Sequence, residues 1–373
     1  MGQRIRKIII APDSFKECLT AREVARALEA GIRDVFGDAV QTVCLPVADG
    51  GEGTLDTLTG ENERVAVTVT GADGSPVDAV YGRRGSLAVV EMARAAGLET
   101  VPKEARHAAV MTTFGVGELI RHALTEGADR LLLTVGGSAT NDGGCGMIAA
   151  LGARFLDGEG REFLPTGGTL GRIAEIDLSG LDARLRGMEI TVATDVRNPL
   201  CGETGATRMF APQKGVLPGE IETMEQGMRH YADLVRSACG RDVAALPGAG
   251  AAGGIAVPLI AFAGARMVSG IDAVLGAVGF AQALEGADAV LTGEGKMDRQ
   301  SFLGKAISGV VRAAGKVPVY AFAGCLGDPE EELLGLGVRG VYAVRPIASD
   351  DADSMRNAAR YLRTLAAEFA EGL

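Results

Sequence analysis

KIIIAPDSFKECLTAREVARALEAGIRDVF, residues 7 to 36, decides the fold. Lys7 to Ala11 is a short, nearly continuous apolar run, the pattern of a strand buried on both faces of a parallel sheet. A polar loop, PDSFKECL, follows. Thr20 then stands as an N-cap with Glu23 three positions on, a capping box, and Leu19 with Val24 completes a hydrophobic staple. Val24, Leu28, Ile32 and Val35 recur at helical spacing and predict one apolar helix face. The unit is strand, glycine- and aspartate-bearing loop, helix.

The unit recurs along the chain. Val43 to Ala48 leads into DGGEGT, Leu131 to Val135 into GGSATNDGGCG, and Ile190 to Thr194 into DVRNPLCGETGA. Ala287 to Thr292 leads into GEGKMDRQS, and Val319 to Ala323 into GCLGD. Alternating strands and helices imply a mainly parallel sheet with both faces covered, and ligands of such sheets sit beyond the carboxyl ends of the strands. Between Val65 and Met92 the texture changes to VAVTVTG, VDAVYG and LAVVEMA, split by turn sequences. That predicts hairpins and the entry to a second domain. A helical tail is expected from Asp350 to Phe369. The simplest layout joins the two ends of the chain, 1–72 with 287–373, in one discontinuous α/β domain. Residues 73–286 form an inserted mixed α/β domain, and the active site is expected in the cleft between the two.

Length supports that division, because 373 residues exceed what one core usually organises. A net charge of −11 with no Lys/Arg run argues against a nucleic-acid partner, but not against an anionic small molecule met by a few focused cations. The six cysteines are scattered with no C-x-x-C pair, the usage of a reduced, cytoplasmic protein. The opening residues lack a signal-peptide layout. Residues 246 to 265 carry no charge, but five glycines and two prolines make them a loop followed by a buried helix rather than a membrane span. A monomer and a homodimer are both compatible with the sequence.

The chemistry lies in the loops. Thr134 to Met147, TVGGSATNDGGCGM, carries Gly136, Gly137, Ser138, Thr140, Asn141 and Gly143 after a buried strand, with a helix expected from about Cys145. Glycines let backbone N–H groups approach an anion, and a helix start adds positive potential, so this is phosphate-cradle chemistry without a P-loop sequence. Thr292 to Ser301 places Gly293, Gly295, Lys296 and Asp298 together, a cation beside a carboxylate suited to phosphate and Mg²⁺. Gly304-Lys305 is not a P-loop, since no glycine stands five residues earlier. Asp13, Ser14 and Lys16 follow the first strand, Asp49 and Glu52 follow the second, and Asp195 ends another beside Arg197 and Asn198. A carboxylate at a strand end can act as a base toward a hydroxyl or ligate a metal. GAGAAG, Gly248 to Gly253, matches a dinucleotide fingerprint on paper, but it follows Pro247 and precedes Pro258, a poor strand and an interrupted helix. His107, His122 and His230 are isolated and read as structural or solvated. Anion cradles plus carboxylates match phosphoryl transfer.

Together the loops resemble the type I bacterial glycerate kinases. APDSFK, ADGGEGT, VGGSATNDGG, DVRNPLCG, PQKG, GAGAAGG, SGID and TGEGK-x-D-x-Q occur in that family's order over nearly the whole chain. The resemblance implies ATP- and Mg²⁺-dependent phosphorylation of D-glycerate, giving 2-phosphoglycerate. It also implies two α/β domains, one of them flavodoxin-like and discontinuous. Phosphorylation at the 3-hydroxyl, or of another small hydroxy acid, stays open. Within that frame Gly136, Gly137, Ser138, Thr140, Asn141, Gly143, Gly293 and Gly295 are the expected ATP-binding residues. Asp195 and Asp298 are expected at the metal, and Ser14, Lys16 and Asp49 at the substrate. Lys296 is expected to neutralise the transferring phosphoryl group, with Asp195 first and Asp49 second as the base. Three positions depart from the family: Glu17 where glycine is usual, Lys296 where arginine is common, and Cys145 in place of a smaller residue.

Overall fold

The computed structural model describes residues 5–51, 53–302 and 305–373, so Glu52 and Gly304 lie outside the described residues, as do the first four positions. Its strands, in chain order, are β1 (Lys7–Ile10), β2 (Gln41–Cys44), β3 (Arg64–Thr70), β4 (Pro76–Arg84), β5 (Leu87–Glu91), β6 (Arg130–Thr134), β7 (Arg154–Leu156), β8 (Glu175–Asp177), β9 (Glu189–Ala193), β10 (Arg266–Val268), β11 (Ala289–Met297), β12 (Val319–Leu326) and β13 (Gly340–Ala343). The chain divides into two compact units, 1–58 with 270–373, and 59–269.

The first unit holds a five-stranded sheet in the order β13-β12-β11-β1-β2, every neighbouring pair parallel. Renumbered within the unit, that is the 2-1-3-4-5 winding of flavodoxin-like folds. Its direction of winding reverses between β1 and β11, and ligands of such sheets sit at that switch point. Helix Ala21–Phe36 starts as the sequence predicts: Thr20 Oγ1 accepts from Glu23 N, and Glu23 reaches back to Thr20 N. Val24, Leu28 and Ile32 are buried, whereas Val35 is exposed, because the last turn runs past the layer it packs on. That layer includes helix Ala358–Glu371, approached so closely at Gly31 that an added Cβ would lie 2.2 Å from Arg363 O. Both helices cover one sheet face, where Ile8, Ile10, Leu291 and Phe322 meet Leu28, Leu365 and Phe369. The expected continuous tail is two helices, Asp351–Arg356 and Ala358–Glu371, broken at Asn357.

The second unit is built on a mixed sheet, β10-β9-β6-β5-β4-β3. β3, β4 and β5 form the antiparallel meander expected from 65–92, and β5, β6, β9 and β10 run parallel. This pairing sets the unit boundaries, which lie at 58/59 and 269/270 rather than 72/73 and 286/287. β3 spends all seven residues on β4, so residues 59–72 belong with the second sheet. Helix Gly270–Ala277 packs on helix Ala306–Ala314, where a Cβ on Gly309 would meet Ile271 Cγ1 at 2.2 Å, so 270–286 belong with the first. Residues 243–250 form no strand and Ala251–Gly253 is a single 3₁₀ turn, which removes the strand–loop–helix frame a dinucleotide fingerprint requires. The uncharged 246–265 stretch ends in helix Ala256–Ala263, buried from Ala256 to Ile260. Among the described residues no helix is long and apolar enough to cross a membrane.

Candidate active site

At the switch point of the first unit the chain leaves β1 and β11 side by side. Ala11 N donates to Leu291 O (2.7 Å), Asp13 N to Gly293 O (2.8 Å), and Thr292 Oγ1 to Ala11 O (2.9 Å). The loop after β1 then closes on itself through Phe15 and Leu19, which exchange backbone hydrogen bonds of 2.8 and 2.9 Å. Glu17 lies inside that loop with φ +62°. This left-handed conformation favours glycine over residues with a Cβ, which gives the departure at residue 17 a backbone meaning.

These loops open into a pocket of about 680 Å³, within the size range of ligand sites. Its walls include Asp13, Ser14, Lys16, Asp49, Glu294, Gly295, Lys296, Asp298 and Lys305. Thus Ser14, Lys16, Asp49, Gly295, Lys296 and Asp298, chosen from sequence on three separate loops, share one cavity. Lys296 Nζ lies 3.8 Å from Asp298 Oδ2 and is largely exposed. Asp298 is anchored from below, where its Oδ1 accepts from Gln300 N (2.9 Å) and its N donates to Ser301 Oγ (3.0 Å). Asp49 Oδ1 accepts from Gly51 N (2.9 Å).

Two carboxylates gain importance that sequence reading had not given them. Burial raises the Asp13 carboxyl to about 6, against a 2.6 Å hydrogen bond from Ser14 N, with Asp49 and Glu294 adding negative charge. Burial likewise raises Glu294, with Ser301 and Lys305 working against it. Glu294 Oε1 is buried without a hydrogen-bond partner, a costly arrangement that a cation or a donor would relieve. A carboxyl poised near neutrality in a cleft is the usual condition of a general base. The sequence signal for Asp13 was its place at the end of β1. Glu294 was masked by its own glycines, read as a loop when the segment is in fact strand. β11 runs to Met297 and pairs with β12 as far as Leu326.

Gly293 has a different task from the one expected. It is buried, and a Cβ there would lie 2.1 Å from Phe322 O, so glycine permits sheet pairing rather than phosphate approach.

The glycine-rich loop of the second unit is also turned inward. Thr140 and Asn141 are fully buried, Ser138 nearly so, and Gly143 lies under the Tyr231 ring, where a Cβ would come within 2.5 Å. Gly136 and Gly137 alone are exposed. The helix Cys145–Ala150 does not offer a bare N-terminus, because buried Asp142 already occupies it. Its carboxylate accepts from Gly144 N and Gly146 N (both 3.1 Å) and from Thr113 N and Oγ1 (both 2.8 Å). Lys214, from PQKG, is buried behind the loop and donates to Ser138 Oγ and Thr140 O (both 2.7 Å). Burial pushes its ammonium down to about 7. Asn141 Nδ2 donates to Thr207 Oγ1 (3.0 Å), while Asn141 Oδ1 has no hydrogen-bond partner; an amide oxygen is the wrong polarity for a phosphate. Asp195 lies exposed on the loop after β9, in this second unit.

Each of the three histidines has a partner. His107 binds Glu220 (2.9 Å), His122 binds Tyr81 OH (3.0 Å) and His230 binds Ile173 O (2.6 Å). Burial raises the Cys44 and Cys201 thiols to about 12, far from thiolate reactivity. Among the described residues, no three His, Cys, Asp or Glu side chains are grouped as a metal-holding set.

This geometry can be set beside known proteins. The sequence matches the Glycerate kinase family over residues 8–373, a span that takes in every loop described above. The chain belongs to the glycerate kinase family. Among curated members of the family, the chain is 45% identical to the glycerate kinase of Bacillus subtilis, covering 98% of this chain and 97% of that one. It is also 45% identical to the glycerate 2-kinase of Escherichia coli, covering 98% and 99%. A crystal structure titled as glycerate kinase 2 of Salmonella typhimurium superposes with a TM-score of 0.87 at 42% identity, covering 99% of this chain and 98% of that one. The family thus shares the α/β architecture described here.

Proposed function

We propose that the chain is an ATP-dependent kinase that phosphorylates D-glycerate at the 2-hydroxyl, with the acceptor bound at the β1/β11 switch point. What supports the reading above all is the gathering of unspent charge there, in a member of the glycerate kinase family. The polar walls hold Lys16, Lys296 and Lys305 for anionic groups, and Asp13 and Asp49 for a hydroxyl proton. The 2-position follows the naming of the Escherichia coli relative as a glycerate 2-kinase.

Asp13 is the base in this reading. Its raised pKa leaves it able to hold a proton taken from the hydroxyl and to release it near neutral pH. Lys296 and Lys305 face the charge that develops on the transferring phosphoryl group, and preorganised cations of this kind supply the main rate gain in phosphoryl transfer. The donor set fits Mg²⁺, which takes oxygen ligands and is commonly held by one or two carboxylates plus substrate phosphates. Asp298 and Glu294, with the orphaned Oε1, would hold it. When bound, the ion supplies neutralisation of phosphate charge. In the second unit, the exposed peptide groups of Gly136 and Gly137 are the proposed nucleotide contact. A cytoplasmic location belongs to the same reading and agrees with six unpaired cysteines.

The test is direct. Purified protein with ATP, Mg²⁺ and D-glycerate should release ADP in a coupled assay, with 2-phosphoglycerate as the product by phosphorus NMR. A 3-phosphoglycerate signal would move the acceptor to the other hydroxyl. No turnover on glycerate, with turnover on another hydroxy acid, would change the substrate. Asp195→Asn serves as the rival arm: a larger loss there than in Asp13→Asn would return the base to Asp195.

A further inference from the structure

Beside the main pocket lies a smaller chamber of about 330 Å³. It shares Asp13, Ser14, Lys16 and Asp49 with the main pocket and adds Thr20 and Arg22 from the start of helix Ala21–Phe36 and Asp56 and Thr57 from the short helix Thr54–Leu58. Arg22 is the unusual member. It is the second residue of helix Ala21–Phe36, half-buried, with Nε shielded from solvent and no hydrogen-bond partner. Neighbouring arginines are paired: Arg33 of the same helix with Glu29, and Arg363 of helix Ala358–Glu371 with Asp34. Among the described residues Arg22 has no ion pair, although three carboxylates stand in the walls of its chamber.

An unpaired, partly desolvated guanidinium is expensive to keep. Its planar fork matches a carboxylate in a two-point contact that a lysine cannot reproduce. We infer that Arg22 recognises the carboxylate of the hydroxy-acid substrate, with Lys16 as a second, freely placed cation. The inference rests on the proposed function and deepens it: the enzyme selects acids over the corresponding neutral polyols or amides through Arg22. The residues shared by the two cavities explain how one small molecule can use both. Asp13 and Asp49, the carboxylates proposed to take the hydroxyl proton, line the same chamber as Arg22.

The experiment compares wild type, Arg22→Ala and Arg22→Lys, each checked for folding by thermal unfolding. Steady-state kinetics are run with D-glycerate and with its amide, and D-glycerate binding is measured by calorimetry. Arg22→Ala should raise the KM and Kd for D-glycerate by at least about tenfold, the scale of losing a charged hydrogen bond. The KM for ATP should stay within about twofold, and the amide's kcat/KM should be unaffected. Arg22→Lys should recover only part of the loss. Unchanged glycerate affinity in Arg22→Ala, or an equal loss for the amide or for ATP, would overturn the inference. A wild type that binds D-glycerate but does not phosphorylate it would sink the proposed function while leaving calorimetry to decide on Arg22.

Discussion

The two glycine-rich loop systems of this chain look alike in sequence and behave oppositely in structure. In the second unit, the charges around residues 136–146 are spent within the fold: Asp142 collects four donors, two of them from Thr113, and Lys214 holds Ser138 Oγ and Thr140 O, although Asn141 Oδ1 is left without a partner. In the first unit, the ends of β1 and β11 leave charge unspent, with Lys16 and Arg22 unpaired among the described residues and Glu294 Oε1 buried without a partner. Charge already spent holds a loop in shape, and charge left over is free to meet a ligand.

The largest effect that could break this contrast is catalytic. Asp13→Asn is expected to lower kcat by about 10² to 10⁴, the range for loss of a general base, with little change in the KM for ATP. In wild type, kcat/KM should rise with pH through an apparent pKa near 6 and then level off, and that acid limb should vanish in the variant. The same substitution should stabilise the fold. Asp13 is raised in the folded protein, so the native state binds more protons than the unfolded chain between about 4 and 6. The stability this contributes is present below about 4 and is lost as pH rises through about 6. Above pH 7 the charged carboxylate is a burden that asparagine removes, and urea midpoints at pH 7.5 should be higher for Asp13→Asn. A variant with less stability and full activity would make Asp13 a structural residue.

Next in size is Lys214→Ala. If the second loop is scaffold, this change should destabilise the protein by about 2 to 4 kcal/mol, through a cavity and two acceptors left without a donor. Its pH signature is distinctive. The folded-state pKa is lowered to about 7, so between about 7 and 10.5 the unfolded chain binds more protons than the native state. The penalty is therefore full below about 7 and is relieved as pH rises toward 10.5. Wild-type stability should climb with pH in that window relative to the variant, as read by denaturant titration at several pH values. Unchanged stability would show that Lys214 does not hold the second loop in shape.

The smallest effect sharpens the contrast from the backbone. Glu17→Gly should stabilise by about 0.5 to 1 kcal/mol, since relief of a left-handed Cβ outweighs the extra chain entropy of glycine. Glu17→Ala should give no such gain, because alanine keeps the Cβ. Equal melting temperatures for the glycine and alanine variants would show that no strain is held at this turn.

Much of this was legible in the chain. Ile8 to Ile10 and Leu131 to Leu133 announce buried strands by their continuity, and Thr20 with Glu23 marks a helix start to the residue. That Ser14, Lys16, Asp49, Lys296 and Asp298 would be neighbours was readable, because they lie at strand ends or on the loops that follow, and they do line one pocket. What stayed hidden depends on partners distant in sequence. Nothing near Asp142 says that it will fill the helix start a phosphate was expected to fill, because Thr113 lies 29 residues away. Gly293 reads as a ligand glycine until Phe322 O is placed against it. Arg22 reads as one more surface cation until its lack of a partner is seen.

The position of β1 has a consequence for how the molecule is made. β1 is an interior strand, paired on one side with nearby β2 and on the other with β11, which begins 279 residues after β1 ends. At about 5 to 20 residues per second on the ribosome, Ile8 to Ile10 wait roughly 15 to 60 seconds for that second neighbour to be synthesised. The whole of 59–269 emerges in the interval and can complete its own sheet first. Ile8 to Ile10 of this kinase therefore keep one strand edge open until β11 is made.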